Sequence, residues 1–457
     1  MSDADKPGRT PEDEPTTGTD PDSPGHEPAA QDEPEPQKAD AEIEAKAQQP
    51  RRGFVSLFVG YVTTANTVMV TVYSFLLAMV IGGLLIIVSD PSIRGTFGYF
   101  FSRPTDALSA SWDAVSSAYS GLFSGAVLNF DTLSAYFEGE ATLANVLAPL
   151  SETLTYSSAL ILAGLAVGLA FRAGLFNIGA QGQVIMGVVG AGIVGFALNL
   201  PMWIHLPFAV LAGAAAGFLF GAVPGALKAW TGAHEVISSI MLNYVALSAL
   251  AWILTSDFVR DPEKTHAISN EVLPSAQLPR LSEFELFRGL RVNLGIVLAI
   301  LAAVAVWWLL SKSTLGYRMR AVGLNSDASR TAGMSVPNTY ITTMGFAGAL
   351  AGLAGAVTVL GLSPYALTHQ VAGEIGFDGI TVALLGRAKP GGVVAAGLLF
   401  GAMRAGAGTM QSVIPLDMVT LLQALIVIFI AAPALVKAML HLKVPTGGLA
   451  TTTAKGW

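Results

Sequence analysis

The sequence predicts an all-α, polytopic membrane bundle, and three observations carry that prediction. Of 457 residues, 52% are hydrophobic and only 12% charged, half the charged share usual in soluble domains. Apolar stretches of membrane-spanning length recur from residue 67 to residue 436. The charge is segregated: residues 1–50 hold 14 acidic and 4 basic side chains, and the other 407 residues hold 18 and 21. The net charge of −7 therefore describes a tail and says nothing about a partner of the main body. No cysteine is present, which excludes disulfides, thiolate metal sites and cysteine nucleophiles.

The tail comes first. Residues 1–50 contain 9 of the 24 prolines and few large apolar side chains, so they cannot bury enough surface to offset their chain entropy and are expected to be disordered. An acidic start without a nearby apolar stretch is not a secretory signal. Arg51 and Arg52 then precede a charge-free run over 67–89, long enough to cross a hydrocarbon core of about 30 Å. Basic residues before the first span predict a cytoplasmic N-terminus.

Further spans are predicted over 153–171, 178–198, 204–227, 235–255, 293–311, 339–361, 376–386, 391–412 and 417–436. The segment 376–386 is too short to cross as a regular helix and reads as a half-helix or re-entrant piece. Ten spans with both termini cytoplasmic place Arg172, Lys228, Lys312, Arg318, Arg320, Arg330, Arg387, Lys389, Lys437 and Lys443 on the cytoplasmic side, as the positive-inside rule requires. The loop 256–292 then lies outside. Between the first two spans, Leu108, Trp112, Val115, Tyr119 and Leu122 recur at helical spacing and predict an amphipathic helix at the interface or packed on the bundle.

Glycines supply the packing. Gly213, Gly217, Gly221 and Gly225 stand four apart, and Gly164/Gly168, Gly348/Gly352 and Gly397/Gly401/Ala405 repeat the device. Within lipid, such ladders let helix backbones approach closely.

No catalytic or metal constellation is found. The histidines are scattered, and His234-Glu235 is followed by Ser238 where a zinc helix needs its second histidine. No Gly-Lys dipeptide occurs, so the chain has no phosphate-cradling P-loop. Energy must come from an ion gradient or from a separate ATPase. The loop 312–338 bears on that choice: Asn325 or Ser326 can cap a short helix, Gly333 can end it, and Ala328 and Ala332 leave a face without bulk, suited to docking.

Residues 323–333 resemble the coupling-loop motif of permease subunits of bacterial ABC importers, in the branched-chain amino acid/ribose/nucleoside permease superfamily. Three more segments are similar to signatures of its nucleoside/simple-sugar branch: 171–183 (FRAGLFNIGAQGQ), 235–244 (EVISSIMLNY) and 376–386 (GFDGITVALLG), the last followed by Pro390 and residues 399–401. Two departures stand out. Gln181 occupies a position where that branch often has Glu, and His234 one where it often has Asn; with no charge at Gln181, no protonation role is assigned to it.

The resemblance implies a permease domain over 53–440 with its coupling loop at 312–338, flanked by cytoplasmic tails over 1–52 and 441–457. It implies a second permease subunit, two cytoplasmic ATPases and an extracytoplasmic solute-binding lipoprotein as partners in a bacterial plasma membrane, and no nucleic acid. ATP is then used by the partner, and this chain binds no cofactor. The coupling residues would be Gly323, Asn325, Ala328, Arg330, Ala332 and Gly333. The glycine-broken amides Asn177, Gln181 and Gln183 read either as cavity lining or as interhelical hydrogen bonding, with Asn243, Glu374 and Asp378 as further polar lining. Arg404, deep within a span, either faces a cavity or pairs with a carboxylate such as Asp378. Amides and an arginine suit a neutral polar cargo, a nucleoside first, then a ribose-like sugar, then a branched-chain amino acid. An ion-coupled transporter is disfavoured by the scarcity of carboxylates in the spans, and a membrane-embedded enzyme by the lack of an acid, base and nucleophile cluster.

Overall fold

Lipid offers no hydrogen bonds, so a spanning segment must satisfy its backbone internally and folds as helix. The computed structural model describes residues 67–283, 285, 288–410 and 416–441. The acidic tail with Arg51 and Arg52, and residues 442–457 with Lys443, lie outside the described residues. The helices are α1 (Thr67–Ser89), α2 (Pro91–Phe97), α3 (Pro104–Ala126), α4 (Phe130–Phe137), α5 (Leu143–Arg172), α6 (Ala180–Ala197), α7 (Met202–Thr231) and α8 (Glu235–Ile253). They continue as α9 (Gly295–Lys312), α10 (Thr314–Leu324), α11 (Ser326–Thr331), α12 (Val336–Gly361), α13 (Ile375–Leu385), α14 (Pro390–Met410), α15 (Leu416–Ala431) and α16 (Pro433–Met439). Among the described residues, two short 3-10 helices, Pro274–Ala276 and Leu281–Glu283, and isolated β-bridges accompany them.

Helices α1, α5, α6, α7, α8, α9, α12 and α14 are long and apolar enough to cross a membrane. The two remaining sequence spans correspond to the 11-residue α13 and the 16-residue α15. The span expected over 417–436 is broken: Pro433 opens a new helix, α16, at its first position, where its missing N–H costs nothing. The loop 312–338 holds two helices where one was expected. The first, α10, starts where the Ser313 side chain accepts a hydrogen bond from Gly316 N.

Helix α3 forms as expected, with Val115, Tyr119 and Leu122 of the predicted stripe packed on the bundle and its first turns less buried. Its buried positions are Ala107, Ser111, Ala118 and Ala126, whereas Leu108 and Trp112 of the apolar stripe are exposed. Small residues let α3 approach α14 closely; an added Cβ at Gly125 would meet Thr409 and Gly406. Bulky apolar side chains are better left towards lipid, since burying them there gains little. The Tyr119 hydroxyl donates to Met79 O across to α1.

The centre of the bundle is α5 and α12, each 83% buried over its spanning window, against 22% for α7 and α8. In α5 the hydroxyls of Thr155, Ser157 and Ser158 donate to carbonyls of the preceding turn, so a polar run is buried without orphaned groups. The glycine ladders mesh. Gly217 of α7 faces Gly348 and Gly352 of α12, and Gly221 faces Met344 and Gly348. Gly397 and Gly401 of α14 receive Ile161 and Ser157 of α5.

Gly217→Leu is therefore expected to destabilise the purified protein by about 3 kcal/mol, the upper end for overpacking, because its Cβ would collide with backbone that cannot move aside. Leu219→Ala, at a residue 68% exposed on the same helix, should change little. Thermal unfolding of the two variants in detergent checks the contrast.

Candidate functional site

Two helices begin inside the bundle. After α5 ends at Arg172, residues 173–179 climb into the bundle before α6 starts at Ala180; after α12, residues 362–374 descend before α13 starts at Ile375. The two starts abut, so that a Cβ on Gly376 would overlap the backbone of Gln181. Helix α13 runs alongside α5, with Gly379 against Ala163 and Ala388 against Gly168, and closes at the Arg172 end, where Arg172 Nε donates to Ala388 O at 2.9 Å. Helix α6 runs the other way, and Gly195 near its end packs on Leu360 and Val272. The eleven residues of α13 cover about 17 Å, roughly half of a hydrocarbon core. The site is thus the meeting point, inside the bundle, of the N-termini of the 18-residue α6 and the short α13, an arrangement that aims two positive dipole ends at one level.

Neither helix caps itself: Gly179 and Glu374 make no side-chain capping bond. The caps come from neighbouring helices instead. Asn243 of α8 accepts from Gly182 N at 2.8 Å and donates to Ile178 O at 3.0 Å, capping α6. Gln181 of α6 accepts from Gly376 N at 2.8 Å and donates to Gly373 O at 2.6 Å, capping α13. Asn177 and Gln183 exchange reciprocal amide bonds at 2.8 and 2.9 Å. All four amides are at most 5% exposed. The sequence leaves two alternatives for these amides, path lining and interhelical hydrogen bonding, and each of them is hydrogen-bonded while buried. The amide at position 181 accepts from Gly376 and donates to Gly373, which an ionised carboxylate cannot do.

Gln181→Leu should leave the Gly376 N–H and Gly373 C=O without partners, at about 1–3 kcal/mol for each unsatisfied buried group. A loss of about 2–4 kcal/mol in thermal or denaturant unfolding is expected, with Gln181→Glu intermediate because it keeps the acceptor.

A small cavity lies beside Arg404. The Arg404 Nη1 lies 3.1 Å from Asp378 Oδ2, and both side chains are part-exposed. The same guanidinium lies over the ring of Tyr156, 5.8 Å from its centroid, and borders the cavity, which measures about 100 Å³ and is lined also by Thr155, Gln370 and Gly373. Pairing and cavity lining, alternatives at the level of sequence, are both true of Arg404. Glu374 is exposed one turn before Asp378. Tyr156 and Gln370 were not singled out from sequence. Tyr156 sits in a Ser/Thr-rich run whose neighbours are all inward-facing, and Gln370 in a loop without periodicity. The one available signal was an aromatic among small hydroxyl residues within a span.

The loop near the Arg172 end has the expected caps. Asn325 accepts from Asp327 N and Ala328 N, each at 3.0 Å, and Gly333, at φ +80°, ends α11 with its N–H on Arg330 O. Ser329 faces the bundle, whereas Ala328, Arg330 and Ala332 are exposed, as is Leu324, an apolar side chain at 89% exposure that sequence reading passed over. Gly323 packs on Gly174, whose own φ is +68°, with a distance of 3.0 Å from an added Cβ on Gly174 to Gly323 Cα. The outward-facing loop and the segment leading to α6 are therefore in backbone contact.

Residues 150–431 match the family model described as the branched-chain amino acid transport system / permease component. The chain belongs to this family. This permease is 44% identical over 284 residues to the guanosine ABC transporter permease protein NupP of Bacillus subtilis, covering 62% of this chain and 80% of that one. It is 36% identical over 297 residues to the nucleoside ABC transporter permease protein NupB of Lactococcus lactis, covering 64% and 81%. The permease protein NupQ, also from Bacillus subtilis, is 28% identical over 255 residues, covering 54% and 78%. No solved structure matches the permease.

Proposed function

We propose that this chain is the nucleoside-translocating permease subunit of an ABC importer in the bacterial plasma membrane, working with a paralogous permease, two ATPase subunits and a solute-binding lipoprotein. The observation that carries the reading is the Arg404-lined cavity at the level where α6 and α13 begin. It offers donors and an aromatic ring inside a bundle that has no P-loop of its own. An arginine there is costly unless it is paired and wetted, and here Asp378 and the cavity supply both.

The cargo follows from the relatives. The 44% and 36% identities are to permeases named for guanosine and nucleosides, ahead of a glucose permease at 32%. Likeness to both NupP and NupQ, at unequal identity, supports a NupP-like role beside a second, different permease. Arg172, Lys228, Arg318, Arg320, Arg330, Arg387 and Lys389 gather at the end that carries α10 and α11, which supports a cytoplasmic assignment of that end. The exposed face of α11 then docks on an ATPase.

In proteoliposomes, guanosine uptake is expected only when both permeases, the ATPase and the lipoprotein are present, and this chain alone should hydrolyse no ATP. Accumulation by this chain alone under an ion gradient would sink the assignment, and uptake of glucose but not guanosine by the full set would move the cargo to sugars.

A further inference from the structure

We propose that Tyr156 is a specificity-determining residue of the permease, the ring on which the planar base of the solute stacks beside Arg404. The inference rests on the nucleoside reading above and deepens it. The cavity of about 100 Å³ is smaller than the 300–1,000 Å³ of sites that enclose a whole small molecule. A flat group bound there enters only in part, and the rest of a nucleoside lies outside the cavity. Its walls are those of a slot for a flat group: Ala159, Leu160, Leu362 and Val371 supply apolar surface, with polar atoms confined to a few places.

Two of those places are uncommitted. Tyr156 is half-buried and its hydroxyl makes no hydrogen bond among the described residues, and the Gln370 amide is likewise free. Arg404 is the third. One of its nitrogens is held by Asp378 at 3.1 Å, which leaves its remaining N–H groups for the cavity. Every base has a π-face for an aromatic ring, and arginine donates in pairs to the O6 and N7 acceptors of a purine such as guanine. A sugar can also lay its C–H face on an aromatic ring, so it is the paired donors of Arg404 that favour a purine here. Tyr156 and Arg404 also share one level: each lies about 21–24 Å along its helix from the joined Arg172–Ala388 end, at about 1.5 Å per residue.

The test uses the complete importer in proteoliposomes, with radiolabelled guanosine and uridine uptake and ATP hydrolysis followed together. Tyr156→Leu is expected to cut guanosine uptake per ATP hydrolysed about tenfold, the scale of one lost base–aromatic stack, with ATP hydrolysis and thermal stability unchanged. Tyr156→Trp, which keeps a π-face, should retain at least half of the uptake. Wild-type guanosine uptake by Tyr156→Leu overturns the inference while leaving the nucleoside reading intact. So does an equal loss of uptake and stability in both variants. A wild-type importer that moves neither nucleoside overturns that reading and the inference with it. Should Tyr156→Leu fail to assemble, photolabelling of the wild type with 8-azidoguanosine decides. Label on the Tyr156 peptide sustains the proposal, and label confined to other segments rejects it.

Discussion

Ala328→Trp should abolish solute-stimulated ATP hydrolysis and uptake by the assembled importer while the permease pair still inserts and still binds the loaded lipoprotein. Ala328 is exposed on α11, a helix of six residues. A helix that short is unstable alone, so it holds its shape through the Asn325 cap, the Gly333 terminus and the buried Ser329 beneath it. An indole on the outer face leaves those supports untouched and blocks close approach by a partner. Gly333→Val should give the same loss by another route. At φ +80° a β-branched side chain is strained by roughly 1–3 kcal/mol, enough to unwind so small an element. Leu324→Ala, removing the exposed apolar side chain at the end of α10, should reduce stimulation about tenfold. Crosslinking of the ATPase to α11 in the wild type and its loss in Ala328→Trp is the direct check. Retained stimulation in Ala328→Trp, or crosslinks only to another loop, would show that coupling lies elsewhere.

Arg404→Met should lower uptake by about a hundredfold, and Asp378→Asn by about tenfold, with different consequences for stability. The pair is charge-assisted at 3.1 Å but part-exposed, so each single change should cost only about 1–2 kcal/mol, within the range measured for coupled neighbours. Combining the two removes both charges and should return thermal stability close to that of the wild type. It should not return uptake, because the guanidinium is then missing from the cavity wall. The double-mutant cycle thus separates the two roles that the geometry gives Arg404. Recovery of uptake together with stability would reduce Arg404 to a structural partner of Asp378. No coupling in stability would mean that the ion pair does not hold the site.

The sequence by itself determined the class of the molecule and the rough positions of its long apolar helices. Charge-free runs of twenty residues read as spanning helices, and the shortness of 376–386 already marked it as a half-helix or re-entrant piece. Caps written in adjacent residues were legible too: Asn325 and Gly333 lie within a turn of the backbone groups they serve. The four signatures carried the family, since each keeps residues of fixed type at fixed spacing.

Tertiary structure decided everything that depends on which helices are neighbours. The ladders at Gly213–225 and Gly348–352 were visible separately, but that they mesh with one another is a property of the packing of α7 on α12. Asn243 and Gln181 looked like path-lining amides, because a polar residue in an apolar run has the same local signature whether it meets a solute or another helix. Their partners lie 61 and 195 residues away in the chain, and only the fold brings an orphaned helix N-terminus to each. Tyr156 was hidden for the converse reason. Its neighbours Thr155 and Ser157 turn their hydroxyls onto their own helix, and nothing in that run tells which residue faces Arg404, 248 positions further on in sequence. Local chemistry fixes helices and caps because the interacting groups are a few residues apart. A site assembled from α5, α6, α13 and α14 exists only once long-range packing has chosen their faces.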